Sequence, residues 1–236
     1  MQRLTKLLAL VLTALAGTAF GQTNVYLHST ASKIVYGSSF NVFRANSTAG
    51  TLGTPATTTT NTTTGPLTQQ FWPSLATAVF PTDVAGGTKV IWVSDPLASA
   101  VTISGQITPN IWGVESAAQA NVGIRLEILR WSVKEGGIVS SLGLTTRTSN
   151  ELASGIASAT TSPKLTPTST TFQAGDRLVI IVYGDDAKSK TQATGFNWNL
   201  FYDGNSAGNS GDTFVTFSNT ITFSADSNNA RSLPNN

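Results

Sequence analysis

The sequence predicts an all-β protein: an antiparallel β-sandwich of jelly-roll-like build, in a single domain behind an N-terminal export signal. Three observations carry that expectation. At least eight segments are rich in β-branched or aromatic residues, several alternate apolar with polar side chains, and Gly, Pro, Asn and Ser turns separate them. Only 11% of residues are charged, which disfavours exposed helices, since these usually carry Glu, Lys and Arg. Helical periodicity is weak after the first 21 residues, its best stretch being a turn or two around Asn150–Ser158. Many strands with long irregular connections point to a jelly roll or a related Greek-key sandwich.

In chain order, Arg3 and Lys6 precede an apolar run, Leu7–Ala16, and small residues then lead to Ala19-Phe20-Gly21. Charge, apolar core and small-residue cut in that order read as a secretory signal peptide over 1–21, releasing a chain that starts at Gln22. The run is too short to cross a bilayer core of roughly 30 Å. The expected location is therefore secreted or cell surface, with no membrane span in the mature chain.

Strands are expected at Val25–His28 and Phe40–Phe43. Between Ser47 and Gln70, 11 of 24 residues are Thr, which reads either as a flexible or glycosylated stalk or as polar edge strands. Asn46-Ser47-Thr48 and Asn61-Thr62-Thr63 fit the N-glycosylation pattern. Further strands are Lys89–Ser94 and Val101–Thr108. In Val122–Val133 the apolar phase moves from Ile124, Leu126 and Ile128 to Leu129, Trp131 and Val133, which predicts a β-bulge near Ile128–Leu129. Arg177–Tyr183 reads as a central strand introduced by the turn Gln173–Asp176. Phe196–Tyr202 carries Trp198, Leu200 and Tyr202 on one side, and Val215, Phe217, Ile221 and Phe223 alternate with Thr. No internal repeat of fixed period occurs. The sandwich is thus expected over 22–223, with 224–236 as a disordered tail because that tail has almost no apolar content.

Composition excludes several function classes. Removing Arg3 and Lys6 leaves 12 basic against 12 acidic side chains, and no Lys/Arg run marks a polyanion site, so nucleic acid is not an expected partner. The absence of cysteine removes disulfides, zinc-thiolate sites and thiol nucleophiles. One histidine, His28, and no G-x-S-x-G elbow leave little material for a Ser-His-Asp triad. No catalytic residue is expected.

Three sets of residues could still carry function. Glu115 and Glu127 are a carboxylate pair that glycoside hydrolysis could use if a cleft held them about 5 to 9.5 Å apart; salt-bridged surface carboxylates, with Arg125 and Arg130 nearby, are the competing reading. The Asp203–Asp212 loop is rich in oxygen ligands, with Asp203, Asn205, Asn209 and Asp212 as calcium candidates. Ala207 cannot ligate, however, and Phe214 stands where an EF-hand needs a bidentate Glu. No other cofactor is indicated. Of five tryptophans, Trp92, Trp131 and Trp198 lie among apolar strand neighbours and are expected in the core. Trp72 and Trp112 are the candidates for an exposed ligand-stacking face.

Ile103–Trp131, Phe172–Tyr183 and Tyr202–Phe223, with a Tyr26-Leu27-His28 opening and a Thr-rich second segment, resemble a loosely characterised group of jelly-roll-like β-sandwich proteins. That group is associated with tailed-phage virion genes and bacterial relatives. The resemblance implies no catalytic residues; the signal peptide departs from the group's pattern and favours a cell-surface relative. The resulting expectation is a non-enzymatic exported sandwich that builds or decorates an extracellular or virion surface assembly, by self-association or assembly on a surface. Two alternatives stand beside it: a carbohydrate-binding module taking a glycan on Trp72, Trp112 and the Asp203–Asp212 loop, and a glycosidase or lyase on the same fold.

Overall fold

The structure, a computed structural model, describes residues 21–31, 43–50, 56–61, 88–132, 134–135, 137–145, 151–155, 158–161, 163–186, 195–204 and 212–226. The described secondary structure is entirely strand: β1 (Thr23–Ala31), β2 (Phe43–Asn46), β3 (Ala56–Asn61), β4 (Thr88–Ser94), β5 (Val101–Ile103), β6 (Ile107–Glu115), β7 (Val122–Ser132), β8 (Gly137–Leu144), β9 (Ser158–Thr160), β10 (Thr170–Phe172), β11 (Arg177–Asp186), β12 (Asn197–Tyr202) and β13 (Phe214–Phe217). The expected all-β sandwich is the observed fold.

One curled sheet runs β3-β12-β6-β13-β1-β2-β4-β11-β7-β8, with β9 also on β6, and β10-β5 form a separate pair. Strand β1 joins the two halves, pairing with β13 through Thr23–Tyr26 and with β2 from Tyr26 onward. Strands β12 and β13 lie end to end along β6: Phe201 faces Trp112 and Phe214 faces Asn110. Thr213 seals the join, its hydroxyl donating to the Phe201 carbonyl and accepting the Trp112 N–H. The Asp203–Asp212 stretch is therefore an excursion from one line of strand. Pairing is antiparallel except between β2 and β4, which run parallel.

The predicted bulge locus is real, but its seat differs. Pairing of β7 with β11 runs unbroken from Val122 to Trp131, whereas the register of β7 with β8 shifts at Ile128/Leu129 and again at Arg130/Trp131. The extra residue at the first shift is Leu142 of β8, fully buried in the main core. The apolar phase change in β7 has another cause: both faces of this strand are buried. Ile124, Leu126 and Ile128 enter the main core with Trp92 and Ile180, while Leu129 and Trp131 join a second cluster with Val93, Val179 and Ile181. Alternation is a reliable guide only where one face meets water.

Other expectations change or are decided. The single strand Val101–Thr108 is two, because Val101–Ile103 pairs with β10 while Ile107–Glu115 pairs with β13 and β12. Around Asn150–Ser158 no helix is described; Glu115 N–H donates to the Ala153 carbonyl and Glu115 bridges Ser154. The Thr-rich tract contributes β3 as an outermost strand beside β12, the rest of it beyond Gly50 lying outside the described residues, as do Phe40 and residues 1–20. The tail is held at its start, where Ser224 N–H donates to the Pro96 carbonyl and Asp226 pairs with Arg177 at 2.8 Å. The turn before β11 follows the prediction, with Gly175 at φ +88° and Asp176 N–H donating to the Gln173 carbonyl, a backbone shape that glycine adopts without strain.

Trp92, Trp131 and Trp198 are buried, as expected. Trp92 stands edge-on to Tyr202 at 5.3 Å, and Phe43 lies 5.4 Å from Tyr202. Such contacts add about 0.5–1.5 kcal/mol each beyond area burial. The Trp92 indole N–H donates to the His28 carbonyl at 3.1 Å, which anchors the polar cluster above it.

Candidate functional site

A dense polar cluster, largely buried, sits where β1 leaves β13 for β2. His28 and Ser29 come from β1, Arg44 and Asn46 from β2, Asp95 from the end of β4, and Asp203 from the end of β12. Asp203 turns into the cluster through a left-handed backbone, φ +62°. Gly50 packs against the same turn, and a Cβ there would lie 2.5 Å from the Gly204 carbonyl, so only glycine fits the close approach.

Asp203 is the hub. Its Oδ1 meets His28 Nδ1 at 2.8 Å, and its Oδ2 accepts from Ser29 N–H at 3.0 Å and the Ser29 hydroxyl at 2.7 Å. Burial works against its charge, but the bonds from Ser29 and His28 outweigh it and hold this carboxyl below the usual range. His28 Nε2 lies 2.9 Å from Asn46 Oδ1, which also accepts the Thr48 N–H. Asn46 Nδ2 reaches Asp95, and Arg44 grips Asp95 with two bonds of 2.7 and 2.6 Å. That hydrogen bond raises the Arg44 pKa against the opposing effect of partial burial.

A serine, a histidine and an aspartate thus meet, wired in the wrong order for nucleophilic catalysis. In a working triad the imidazole takes the serine proton and the carboxylate orients the imidazole. Here the carboxylate sits in the middle and holds both Ser29 and His28. The far nitrogen of His28, which would act as base, faces an amide oxygen. The arrangement fixes three strands and the Asp203 turn. Asn46 of the glycosylation pattern is buried within it, so its side chain is spoken for.

Asp212, at the other end of the excursion, behaves oppositely. Burial pushes its carboxyl up to about 6; the Gly50 N–H and the His28 charge oppose the shift and the Asp203 charge adds to it. Its Oδ1 is buried without a hydrogen-bond partner. Of the four calcium candidates, Asp203 and Asp212 are brought to one region, while Asn205 and Asn209 lie outside the described residues. Among the described residues no group of three or more His, Asp or Glu side chains is placed to hold a metal ion.

The carboxylate pair is not assembled. Glu115 is on β6 and Glu127 on β7, strands that do not pair. Both are buried, which also corrects the surface reading. Glu115 Oε2 accepts the Val122 N–H and so closes the β6–β7 connection. Glu127 accepts from the Tyr183 hydroxyl at 2.5 Å on the face of the second cluster. Burial, then the Glu127 charge and bond, drive that phenol far above its ordinary range, with Arg125 opposing. Arg125 pairs with Asp185, and Arg130 with Asp176 and Glu135. Trp112 points outward, partly exposed; Trp72 lies outside the described residues. Sequence reasoning missed the cluster's partners, since His28 and Asp203 stand 175 positions apart.

A family model described as the X-Pro dipeptidyl-peptidase C-terminal non-catalytic domain matches residues 18–195. Solved structures share the fold. An aminopeptidase from the marine sediment archaeon Thaumarchaeota archaeon superposes with a TM-score of 0.55 at 11% identity, over 83% of this chain and 36% of its own. An α-amino acid ester hydrolase gives 0.54 at 12% identity, with the same coverage. A CocE/NonD family hydrolase from Staphylococcus aureus gives 0.51 at 11% identity, covering 86% and 36%. The chain therefore spans about a third of the length of each. No curated protein matches the chain. These findings overturn the expectation of a builder or decorator of extracellular or virion assemblies, and with it the carbohydrate-binding and glycosidase or lyase alternatives. The matched family is the non-catalytic part of a peptidase, and the solved chains of this fold bear hydrolase names. The described residues contain no helix long and apolar enough to cross a membrane.

Proposed function

Because the chain belongs to the X-Pro dipeptidyl-peptidase C-terminal non-catalytic domain family, we propose that it is an accessory sandwich serving a hydrolase, with the bond-breaking chemistry supplied by a separate catalytic unit. The observation that carries this reading is the family match across residues 18–195. The wiring of Ser29, His28 and Asp203 supports it: the serine hydroxyl donates to a carboxylate of lowered pKa, a poor base, and is not bonded to the imidazole that would take its proton. The buried bonds of that cluster serve rigidity, and a rigid sandwich can brace a catalytic unit in one geometry.

The test is turnover by the purified chain on an X-Pro dipeptide amide and an α-amino acid ester. No hydrolysis above buffer is expected. Added to a hydrolase of this kind cut off before its own C-terminal sandwich, the chain should raise that enzyme's thermal midpoint. Turnover by the chain alone that disappears in His28→Ala would overturn the reading, as would a truncated hydrolase that responds no more to this chain than to an unrelated protein.

A further inference from the structure

The outer face of the β1–β13–β12–β6 half carries a set of side chains that the non-catalytic reading does not use. Directly opposed residues of antiparallel strands share a face, so the registers define two adjacent rows. Tyr26, Phe214 and Asn110 form one, and Phe201 and Trp112 the other. Trp112 and Asn110 are two apart on β6 and share that face. The Tyr26 and Phe214 rings lie 5.2 Å apart, tilted by 52°. All four aromatic residues are partly exposed, whereas the alternate positions on the same strands (Val25, Ile111, Leu200 and Val215) are fully buried in the core. Among the described outward positions of β6, β12, β13 and Asn24–Tyr26, none is charged; the remainder are Asn, Thr and Val.

We propose that this face is a self-association surface that takes a second copy of the chain. Four aromatic rings in adjacent rows, set among Asn, Thr and Val, are the composition of an interface core and not of an ordinary solvated sheet face. The second copy is the occupant that its electrostatics favour. A two-fold contact sets a patch against itself, so any charge would meet its own like, and this patch carries none. The whole chain carries a formal net charge of only +2, so long-range repulsion between copies is weak. Size sets the strength. Nine residues of β6 span about 30 Å and the two strand spacings across β6, β12/β13 and β1 about 10 Å, a footprint of roughly 300 Å². That lies below the roughly 800 Å² per partner of a standard stable interface and suits a transient one. The dimer is therefore weak and reversible, with a Kd on the order of micromolar.

Sedimentation velocity of the full chain at rising concentration tests this. The weight-average mass should climb from one copy towards two, and equally so in low and high salt because no charge pair holds the contact. Trp112→Gln should weaken association at least tenfold, whereas Glu135→Gln, on the β7–β8 turn, should leave it unchanged. Far-UV spectra and thermal melts establish that each variant is folded; should Trp112→Gln fail there, Val114→Lys puts a charge on the same face and is read in its place. A chain that stays monomeric at every concentration, whether or not another protein takes the face, overturns the proposal. So does association that salt abolishes, or that survives both Trp112→Gln and Val114→Lys unchanged.

Discussion

Asp212→Asn should stabilise the protein, although it alters a buried polar residue. Burial raises the Asp212 carboxyl from 3.8 to about 6. A raised acid pKa means that the folded state holds its proton where the unfolded chain has lost it. Native stability therefore falls as pH rises from about 4 to about 6, then stays lower by a constant amount. The shift is about 2 units, and at about 1.36 kcal/mol per unit the penalty at neutral pH is about 3 kcal/mol. An amide carries no charge to desolvate. Its oxygen can accept the Gly50 N–H while its NH2 takes the place of the buried, unpartnered Oδ1, so one buried polar group with imperfect partners remains. A net gain of about 1–3 kcal/mol at pH 7.5 is expected, roughly 2–10 °C in Tm for a domain of this size. At pH 4 the variant and the parent should melt together. Urea and thermal melts across pH 4–8 measure the difference curve. If Asp212→Asn lowers stability at pH 7.5, or the difference curve is flat, the ionised carboxylate has stabilising partners beyond Gly50 and the expectation fails.

Asp203 should show the opposite sign: its lowered pKa makes its contribution present above about pH 4 and lost in more acid solution, so Asp203→Asn should flatten the acid limb of the pH–stability curve. Ile180→Ala should cost about 2–5 kcal/mol in urea melts, because Ile180 is fully buried between Trp92 on β4 and Ile128 on β7. Asp226→Ala should cost about 3–5 kcal/mol, because it strands the Arg177 guanidinium, whose side chain is only 10% exposed; deleting Ser224–Asn236 should cost at least as much. Calcium and a chelator should each leave Tm unchanged, since both Asp203 oxygens already serve Ser29 and His28.

The sequence by itself determined the sandwich, most of its strands, and the burial of Trp92, Trp131 and Trp198. Period-2 alternation, β-branching and turn residues are local properties that a short window carries in full. It also marked the place of the bulge, though attributing it to β7, because apolar residues on successive positions look the same whether the register slips or both faces are covered. Only the tertiary structure decided between those readings, since the cover comes from other parts of the chain. It alone joined His28 and Ser29 to Asp203, and Arg177 to Asp226, pairs set by strand order and not by spacing. The same holds for the outward aromatic rows, where Trp112 meets Phe201 only because β12 and β13 lie end to end along β6. Membership of the non-catalytic peptidase domain family left no short motif to read. The match is spread over residues 18–195, across many strands and not in one local segment.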